Sequence, residues 1–564
     1  MKKNQPYLFQ TLVRGIVVPC MISAFLFNSC TTTNRSKTDK DGQVLFIGND
    51  IAIAETVYGK VRGFILRDIF QFRGIPYGAD TGGKNRFMPP ERPEPWTETY
   101  PAVWWGNSAP QIMDHRFANV YGNFLDHWNY DDISEDCLKL NVWTPTIDDE
   151  IKRPVLVWFH GGGYSEGNGI EQDGYNGENL SRKGNIVFVS VNHRLGPIGF
   201  SDLSAVGGEK YISSGNVGAL DMVAALEWVS ENIANFGGDP GNVTIIGQSG
   251  GGGKVCTLLA MPRAEGLIHR VVPLSGSSIQ GFDQENARKG GEYILREAGL
   301  KHSEIDKLQE IPWKEYILLA NRAAKKCYEE LGIPVNFSPV ADGINLQKGT
   351  FFSESRGLSS DVPMLITSTF HENALYLYDP ELENITAENA IEILRDGRNP
   401  YKERYPFLRG ISDKAAEVFE EYATAFPDAK PDELLVMIYS NRKRPLRAAN
   451  AKANQEAPVY VAWFGWETPL YDGRLRAFHC ADICFWFYNT DLMITHTGGG
   501  ESPRKLSEKM SDALLQFMRT GDPNIEGLPE WPEYTVENGE TMILNDVCEV
   551  KNDPDRGGRI RIPD

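Results

Sequence analysis

Short runs of apolar residues recur along this chain with almost no polar residue inside them, and no other feature constrains the fold as strongly. The runs occupy residues 153–160, 185–192, 242–247, 269–276, 362–368 and 457–465. A strand with one face in solvent alternates apolar and polar residues, whereas a strand covered on both faces is apolar throughout. The runs therefore predict a sheet that is buried on both faces.

Helical patterns separate these runs. Residues 216–237 place Ala219, Met222 and Leu226 on one face of a helix that should end at Gly237. Strands and helices that alternate in this way predict an α/β fold with a mostly parallel central sheet and helices on both faces. The segments at about 283–360 and 383–450 are charged, with helical patterns. We interpret them as helical excursions that form a cap over one end of the core.

The N-terminus has the pattern of an export signal. Lys2, Lys3 and Arg14 precede a short apolar run that ends at Phe27, and no acidic residue interrupts them. A basic segment followed by a short apolar segment and small residues is typical of a signal peptide. Cys30 follows Ser29, as in a loose bacterial lipobox, and we expect residues 1–29 to be removed and Cys30 to be lipidated. Simple secretion is the alternative.

The same pattern predicts the domain organisation and the location. Residues 30–45 are polar and form a tether, and residues 46–564 form a single domain. We expect a protein of the bacterial cell envelope, in contact with a membrane only through its lipid anchor; otherwise it is secreted or periplasmic. The formal net charge of −19 argues against nucleic acid as a partner, because phosphate binding needs a basic face. The oligomeric state is not predicted.

Residues 247–255, GQSGGGGKV, allow two kinds of site. A phosphate-binding loop needs glycine, four residues, glycine, lysine and then serine or threonine. Aligning Gly253 and Lys254 puts Gln248 where the first glycine belongs and Val255 where the hydroxyl belongs. The phosphate loop is therefore excluded.

Ser249 fits the second kind of site, a serine nucleophile. Gly247 to Gly251 match G-x-S-x-G, directly after an apolar strand and before a predicted helix, which is the context of a nucleophile elbow. An oxyanion hole would support it, and HGGG at residues 160–163 follows another strand. We expect the backbone N–H groups of Gly162, Gly163 and Gly250 to bind the oxyanion.

These motifs carry a resemblance that extends from about residue 50 to the C-terminus. FGGDPGNVTIIGQSGG (236–251) resembles the serine signature of the type-B carboxylesterase/cholinesterase family of α/β-hydrolases, and EDCLKLNVWTP (135–145) is similar to its second signature. The motifs VNHRLGPIGF and RFMPPERPEPW also resemble that family. The resemblance implies the α/β-hydrolase fold and an ester hydrolase that uses an acyl-enzyme intermediate.

The resemblance also implies the partners of Ser249. His479, in RAFHCADICFWF, matches the catalytic histidine, and Glu372, in STFHENALY, matches the acid, with Thr367 and Asn373 at positions where the family has glycines. Ser275 matches a family serine near the triad, and either a hydrogen bond behind the catalytic residues or plain turn chemistry would explain it.

The predicted substrate is a small-molecule ester, and the mechanism requires no metal or cofactor. Two alternatives share the sequence pattern. Some cholinesterase-like domains are non-catalytic binding modules, although those tend to lose triad residues that this chain keeps. The same triad also permits acyl transfer to an acceptor other than water, and fold alone does not choose between them.

Overall fold

The computed structural model describes residues 42–112, 132–147, 149–352, 357–374, 382–396, 410–411 and 413–563. From Val44 onward, the described residues belong to one compact unit. The predicted signal peptide, Cys30 and most of the predicted tether lie outside the described residues. Within those residues, no helix combines the length and the apolar character needed to cross a membrane.

The strands are β1 Leu45–Phe46, β2 Ile53–Thr56, β3 Gly59–Arg62, β4 Phe64–Leu66, β5 Ile69–Pro76, β6 Tyr100–Pro101, β7 Lys139–Thr144, β8 Arg153–Phe159, β9 Val187–Val191, β10 Gly238–Gln248, β11 Arg270–Leu274, β12 Met364–Thr369, β13 Val459–Phe464, β14 Glu540–Leu544 and β15 Glu549–Asn552. All six apolar runs form strands, β8 to β13, as the sequence predicts.

The α-helices are α1 Glu178–Gly184, α2 Gly196–Phe200, α3 Ser204–Gly207, α4 Val217–Asn232, α5 Gly250–Leu258, α6 Gln284–Glu297, α7 Trp313–Leu331, α8 Ala387–Asp396, α9 Ala415–Ala425, α10 Pro431–Tyr439, α11 Lys443–Lys452, α12 Ile483–Trp486, α13 Ile494–Thr497, α14 Glu501–Thr520 and α15 Arg556–Arg559. Short 3₁₀ helices cover Gly83–Asn85, Asp173–Tyr175, Gly208–Tyr211, Ser214–Asn216, Ile233–Phe236, Pro262–Ala264, His302–Gln309, Leu382–Asn384 and Leu470–Gly473.

In the described part of the chain, twelve strands form one sheet in the order β1-β4-β5-β7-β9-β8-β10-β11-β12-β13-β14-β15. All neighbours from β9 to β14 pair in parallel, whereas β1 to β9 and β14 to β15 pair antiparallel. A second sheet joins β2, β3 and β6. The mostly parallel central sheet of the predicted α/β fold is thus confirmed, with antiparallel strands added at its edges.

The two faces of the sheet lie against different cores. Along β8, Val155, Val157 and Phe159 pack into a core that includes buried residues of α4. Leu156 and Trp158 point the other way, into a core that includes buried residues of α14. Both residue sets are fully buried, which explains why Val155 to Phe159 include no polar residue.

The helical segments are shorter than the sequence predicts. Helix α4 ends at Asn232, and the 3₁₀ turn Ile233–Phe236 connects it to Gly237, whose φ is 78°. In the segment 283–360 the helices end with α7 at Leu331, and Gly332 follows with a φ of 68°. Pro334 and Pro339 lie just beyond, and proline does not continue a helix. Helices α8 to α11 fall within or at the edge of the predicted segment 383–450.

Candidate active site

Ser249 lies in the turn between β10 and α5, at the carboxyl end of the parallel sheet. Its φ is 58° and its ψ is −121°, a conformation that L-residues rarely adopt. Such strain costs on the order of 1–3 kcal/mol and persists only where the surroundings fix the backbone. Here the Ser249 N–H donates to the carbonyl of Leu274 at 2.8 Å, which ties the turn to β11. The half-buried serine side chain therefore projects from a nucleophile elbow.

The glycine run lets three backbone segments meet at this elbow. A Cβ on Gly250 would lie 2.2 Å from the carbonyl oxygen of Gly163, and one on Gly251 would lie 2.1 Å from that of Phe159. A Cβ on Gly252 would lie 2.1 Å from the carbonyl oxygen of Gly276. These distances are far below contact distance, so the start of α5 tolerates only glycine at these positions.

We expect Gly252→Ala to lower the apparent melting temperature clearly, because its methyl group would collide with backbone that cannot rotate away. Overpacking of this kind costs about 1–3 kcal/mol. Gly253→Ala is the matched control, since its Cβ would meet only the side chains of Ser278, at 2.9 Å, and Tyr164. Thermal denaturation of the two variants beside the wild type checks this. Equal melting temperatures for both variants would contradict the packing argument.

The loop after β8 lies against the elbow and offers unpaired donors. Gly162 and Gly163 have φ values of 77° and 62°. Within the described chain, the N–H groups of Gly162, Gly163 and Gly250 donate to no acceptor. A Cβ built on Gly161 would lie 3.6 Å from the Cβ of Ser249, so this loop and the serine are in direct contact. Unpaired N–H groups beside a nucleophile have the chemistry of an oxyanion hole.

His479 and Glu372 form a hydrogen-bonded pair beside the elbow. His479 Nδ1 donates to Glu372 Oε2, and Glu372 Oε1 accepts the backbone N–H of Thr369 at 2.8 Å, just at the end of β12. With its proton on Nδ1, the imidazole has a free lone pair on Nε2, as a general base requires. Among the described residues, no hydrogen bond joins His479 to Ser249 Oγ, and such bonds often tighten only when substrate binds.

Neighbouring residues hold this pair together. The His371 N–H donates to the carbonyl of Ala477 at 3.1 Å, and the Ala477 N–H donates to His371 Nδ1 at 3.3 Å. The turn that carries Glu372 is thereby paired with the segment that leads into His479. Asn373, at a position where the resembled family has glycine, donates its backbone N–H to Ser440 Oγ at 3.0 Å. His371, to which the sequence assigns no role, is part of this scaffold.

Gln248 connects the elbow to the histidine. Its amide nitrogen lies 3.2 Å from His479 Nε2 and 3.4 Å from Nδ1, and its Oε1 accepts the thiol of Cys480 at 3.2 Å. Because the two ring distances are nearly equal, the amide lies beside the ring and not along the lone pair of Nε2. The amide of Gln248 therefore does not occupy the lone pair of His479 Nε2.

The charges around His479 change the pKa values of its neighbours and its own. Burial alone would lower the pKa of His479, but Cys480 and the carboxylate of Glu372 raise it well above the ordinary value. Burial, together with Glu372, raises the pKa of Asp482 to about 6. Asp482 Oδ2 accepts the indole N–H of Trp486 at 3.2 Å and the hydroxyl of Thr367 at 3.3 Å.

The structure brings together six of the residues predicted from the sequence: Ser249, Glu372, His479, Gly162, Gly163 and Gly250. Ser275 lies one residue past β11 with a φ of 48°, and its hydroxyl has no hydrogen-bond partner among the described residues. Its role stays a prediction. Gln248 and Asp482 have no role predicted from the sequence. For Gln248, the only sequence signal was its place next to the nucleophile.

One cluster outside the site has groups that a metal ion could bind. In the described part of the chain, His371, Glu433 and Glu467 have ligand atoms within 4.8 Å of one another. His371 Nδ1, however, accepts the N–H of Ala477, so its proton is on Nε2, the atom that faces Glu433. The Arg476 guanidinium also lies 3.1 Å from Glu433. This chemistry suits an ion-pair cluster and not a metal site.

Comparisons with known proteins agree with this geometry. Residues 50–556 match the family described as the Carboxylesterase family. The chain is 32% identical to para-nitrobenzyl esterase of Bacillus subtilis over 519 residues, covering 90% of this chain and 98% of the relative. It is 30% identical to phenmedipham hydrolase of Pseudarthrobacter oxydans, with the same coverage.

Solved structures that are similar to this chain are also esterases. An esterase from Clostridium hathewayi superposes with a TM-score of 0.79 at 34% identity, covering 92% of this chain and 99% of the other. A carboxylesterase from Geobacillus stearothermophilus superposes with a TM-score of 0.73 at 33% identity, covering 91% of this chain and 100% of the other. The chain has the α/β-hydrolase fold and belongs to the carboxylesterase family.

Proposed function

We propose that this carboxylic-ester hydrolase works through an acyl-enzyme intermediate, with Ser249 as nucleophile, His479 as general base and Glu372 as orienting acid. Ester hydrolysis itself follows from membership of the carboxylesterase family. One observation supports the residue roles: Ser249, with a φ of 58°, is flanked by Gly250, which packs against Gly163, and by Gln248, whose amide lies 3.2 Å from Nε2 of the Glu372-bonded His479. Nucleophile, base, orienting acid and oxyanion donors are all needed, and the elbow, the loop after β8 and the His479–Glu372 pair offer a candidate for each.

The chemistry proceeds in two halves. His479 Nε2 takes the hydroxyl proton of Ser249 as the oxygen attacks the ester carbonyl, and Gly162, Gly163 and Gly250 donate N–H groups to the oxyanion. Collapse of the tetrahedral intermediate breaks the ester bond, and the imidazolium gives its proton to the leaving alcohol. Water then repeats the attack on the acyl-enzyme, which releases the acid and restores Ser249. Glu372 keeps the proton of His479 on Nδ1 and stabilises the imidazolium.

The substrate class is tested with simple activated esters. A relative named para-nitrobenzyl esterase supports benzyl esters as first substrates, and p-nitrophenyl acetate and butyrate are convenient chromogenic esters for the same test. We expect the purified protein to release p-nitrophenol from them, without added metal. A protein that releases none from any ester, and yet is folded, would favour the non-catalytic binding module.

We also propose that the chain is exported and lipidated on Cys30, which the Lys2–Phe27 pattern and Ser29 support. In a bacterial host, we expect the wild type to incorporate radiolabelled palmitate and to fractionate with membranes. Cys30→Ser should abolish both, whereas Cys20→Ser, inside the apolar run, should leave both unchanged. Membrane fractionation of the Cys30→Ser variant at the wild-type level would contradict lipidation. A soluble, unlabelled wild type outside the cell would establish simple secretion.

A further inference from the structure

Lys254 is a buried cation that the proposed mechanism does not use. It lies on the second turn of α5, five residues after Ser249, and its side chain is fully buried. Its Nζ donates to the carbonyl of His160 at 2.8 Å and to the carbonyl of Gly161 at 3.3 Å. Both acceptors belong to the loop that carries Gly162 and Gly163. The amine therefore reaches the oxyanion loop from the protein interior.

We propose that Lys254 is a positioning residue for the oxyanion hole: it holds the Gly161 carbonyl, beside that of His160, so that the Gly162 N–H group faces the serine. The inference rests on the proposed function, since it assigns a role within the same site. Lys254 does not touch substrate in this role; it acts through the backbone of the loop.

Because the peptide bond is planar, the orientation of the Gly161 carbonyl determines the orientation of the Gly162 N–H. The Gly161 carbonyl and the Gly162 N–H belong to one trans peptide unit, in which C=O and N–H point in opposite directions. Fixing the carbonyl toward Lys254 therefore fixes the N–H toward the opposite side of the loop, which is the side with no protein acceptor. Gly162 has no side chain to oppose a peptide rotation, so the orientation needs an external hold.

The hydrogen bond from Lys254 also has an electrostatic effect on the Gly162 N–H. A hydrogen bond accepted by a carbonyl polarises its peptide unit and strengthens the N–H of the same unit as a donor. The effect is larger when the donor carries a charge. Removing Lys254 would therefore weaken the Gly162 donor as well as release it. The Nδ1 of His160 also lies 3.0 Å from the Gly161 carbonyl, so the loop keeps one interaction without the lysine.

The surroundings of Lys254 suit a permanent donor. Burial lowers its pKa to about 7, and the Glu171 carboxylate opposes that change. Burial, together with the charge of Lys254, keeps the pKa of His193 well below the ordinary value. The Tyr164 ring lies 6.0 Å from Nζ. Both the ammonium and the neutral amine have N–H groups for the two carbonyls, so the hold on the loop persists across neutral pH.

The experiment separates transition-state binding from substrate binding. Lys254→Met keeps an unbranched side chain that is one atom shorter and removes its N–H donors. With p-nitrophenyl acetate we expect kcat to fall about 10- to 100-fold, less than complete loss of an oxyanion donor, while KM stays within about 3-fold. A trifluoromethyl ketone forms a tetrahedral adduct with the serine, so its affinity should fall by the same factor as kcat/KM. A merely structural role would not produce this split.

Lys452→Met is the matched control. Lys452 is also fully buried, and it donates to the carbonyl of Ser359 and to the side chain of Gln455. Ser359 precedes the amino end of β12, whereas Ser249 follows the carboxyl end of the parallel strand β10. We expect it to change the melting temperature and to leave kcat per folded protein within about 2-fold of the wild type, as a site remote from the chemistry should. A tenfold fall of kcat in this control would overturn the inference, because any buried lysine would then have the same effect.

Further outcomes also decide the matter. If Lys254→Met folds poorly, Lys254→Leu replaces it, since leucine also has no N–H donor in its side chain, with the same expected fall in kcat at nearly constant KM. Wild-type kcat in either folded variant would overturn the role of Lys254 while the inactivity of Ser249→Ala left the proposed function intact. A fall in kcat with no loss of affinity for the trifluoromethyl ketone would also overturn it.

Discussion

Ser249→Ala is expected to abolish ester hydrolysis, with kcat for p-nitrophenyl butyrate falling on the order of 10⁶-fold. In the proposed mechanism the Ser249 hydroxyl oxygen forms the covalent intermediate, and alanine has no group that could replace it. Any residual turnover should come from direct attack of water on the bound ester, with the oxyanion donors stabilising the tetrahedral intermediate. The φ of 58° at this position does not confound the test, since alanine and serine have nearly the same backbone preferences.

Two further experiments accompany this measurement: substitution of a serine outside the site, and covalent labelling of the nucleophile. Ser511→Ala removes a buried hydroxyl from α14, where it bonds only to the carbonyl of Glu508, and should leave kcat unchanged. A fluorophosphonate should add covalently to the wild type and to Ser511→Ala, and mass spectrometry should place it on Ser249. Equal hydrolysis by Ser249→Ala and the wild type would show that another nucleophile acts.

Addition of an alcohol as an acceptor tests the remaining alternative. If the acyl-enzyme transfers its acyl group mainly to an added alcohol at millimolar concentration, against water in large excess, the protein is better described as an acyltransferase. If the free acid dominates, it is a hydrolase. The triad residues are the same in both cases, so only product analysis separates them.

The core of the fold was predictable because burial on both faces has a direct sequence signature. Val155 to Phe159 are all apolar because alternate residues face two different cores. The antiparallel edge had no such signature. Strands β4 and β5 are joined by Arg67 and Asp68, whose φ values of 48° and 65° form a tight hairpin turn. Such turns favour Asn-Gly or Asp-Gly, and neither is present here.

The residues of the candidate site differ in how far the sequence alone could predict them. Ser249 and its oxyanion glycines are encoded within short motifs, so local sequence suffices. The histidine that Gln248 touches is 231 residues further along the chain, and no pattern of residues alone links such distant positions. Resemblance to a family supplied His479 and Glu372. Lys254 follows a glycine run that the sequence could only exclude as a phosphate loop, because burial against the carbonyls of residues 160 and 161 is a tertiary property.

Glu372→Gln gives the second large effect expected of this site, a fall in kcat on the order of 10⁴-fold. The glutamine amide can donate to His479 Nδ1 as readily as accept from it, which would place the imidazole proton on Nε2, where the base must be free. The substitution also removes the negative charge that stabilises the imidazolium. The fall should appear in kcat with little change in KM, since neither effect involves the bound ester.

The pH profile makes the assignment specific. His479 must be neutral to accept a proton, and Glu372 helps to raise its pKa well above the ordinary value. In the wild type, kcat/KM should therefore rise with pH up to an inflection at that raised pKa. Without the carboxylate the pKa of His479 falls, so the inflection in Glu372→Gln should move to lower pH even though the plateau is far lower.

Glu297→Gln, which removes a carboxylate from α6 that bonds to Lys326 and Arg322, should change neither the plateau nor the inflection. An unshifted inflection in Glu372→Gln would mean that another group titrates, and Asp482, whose pKa is raised to about 6 by burial, would be the next residue to test.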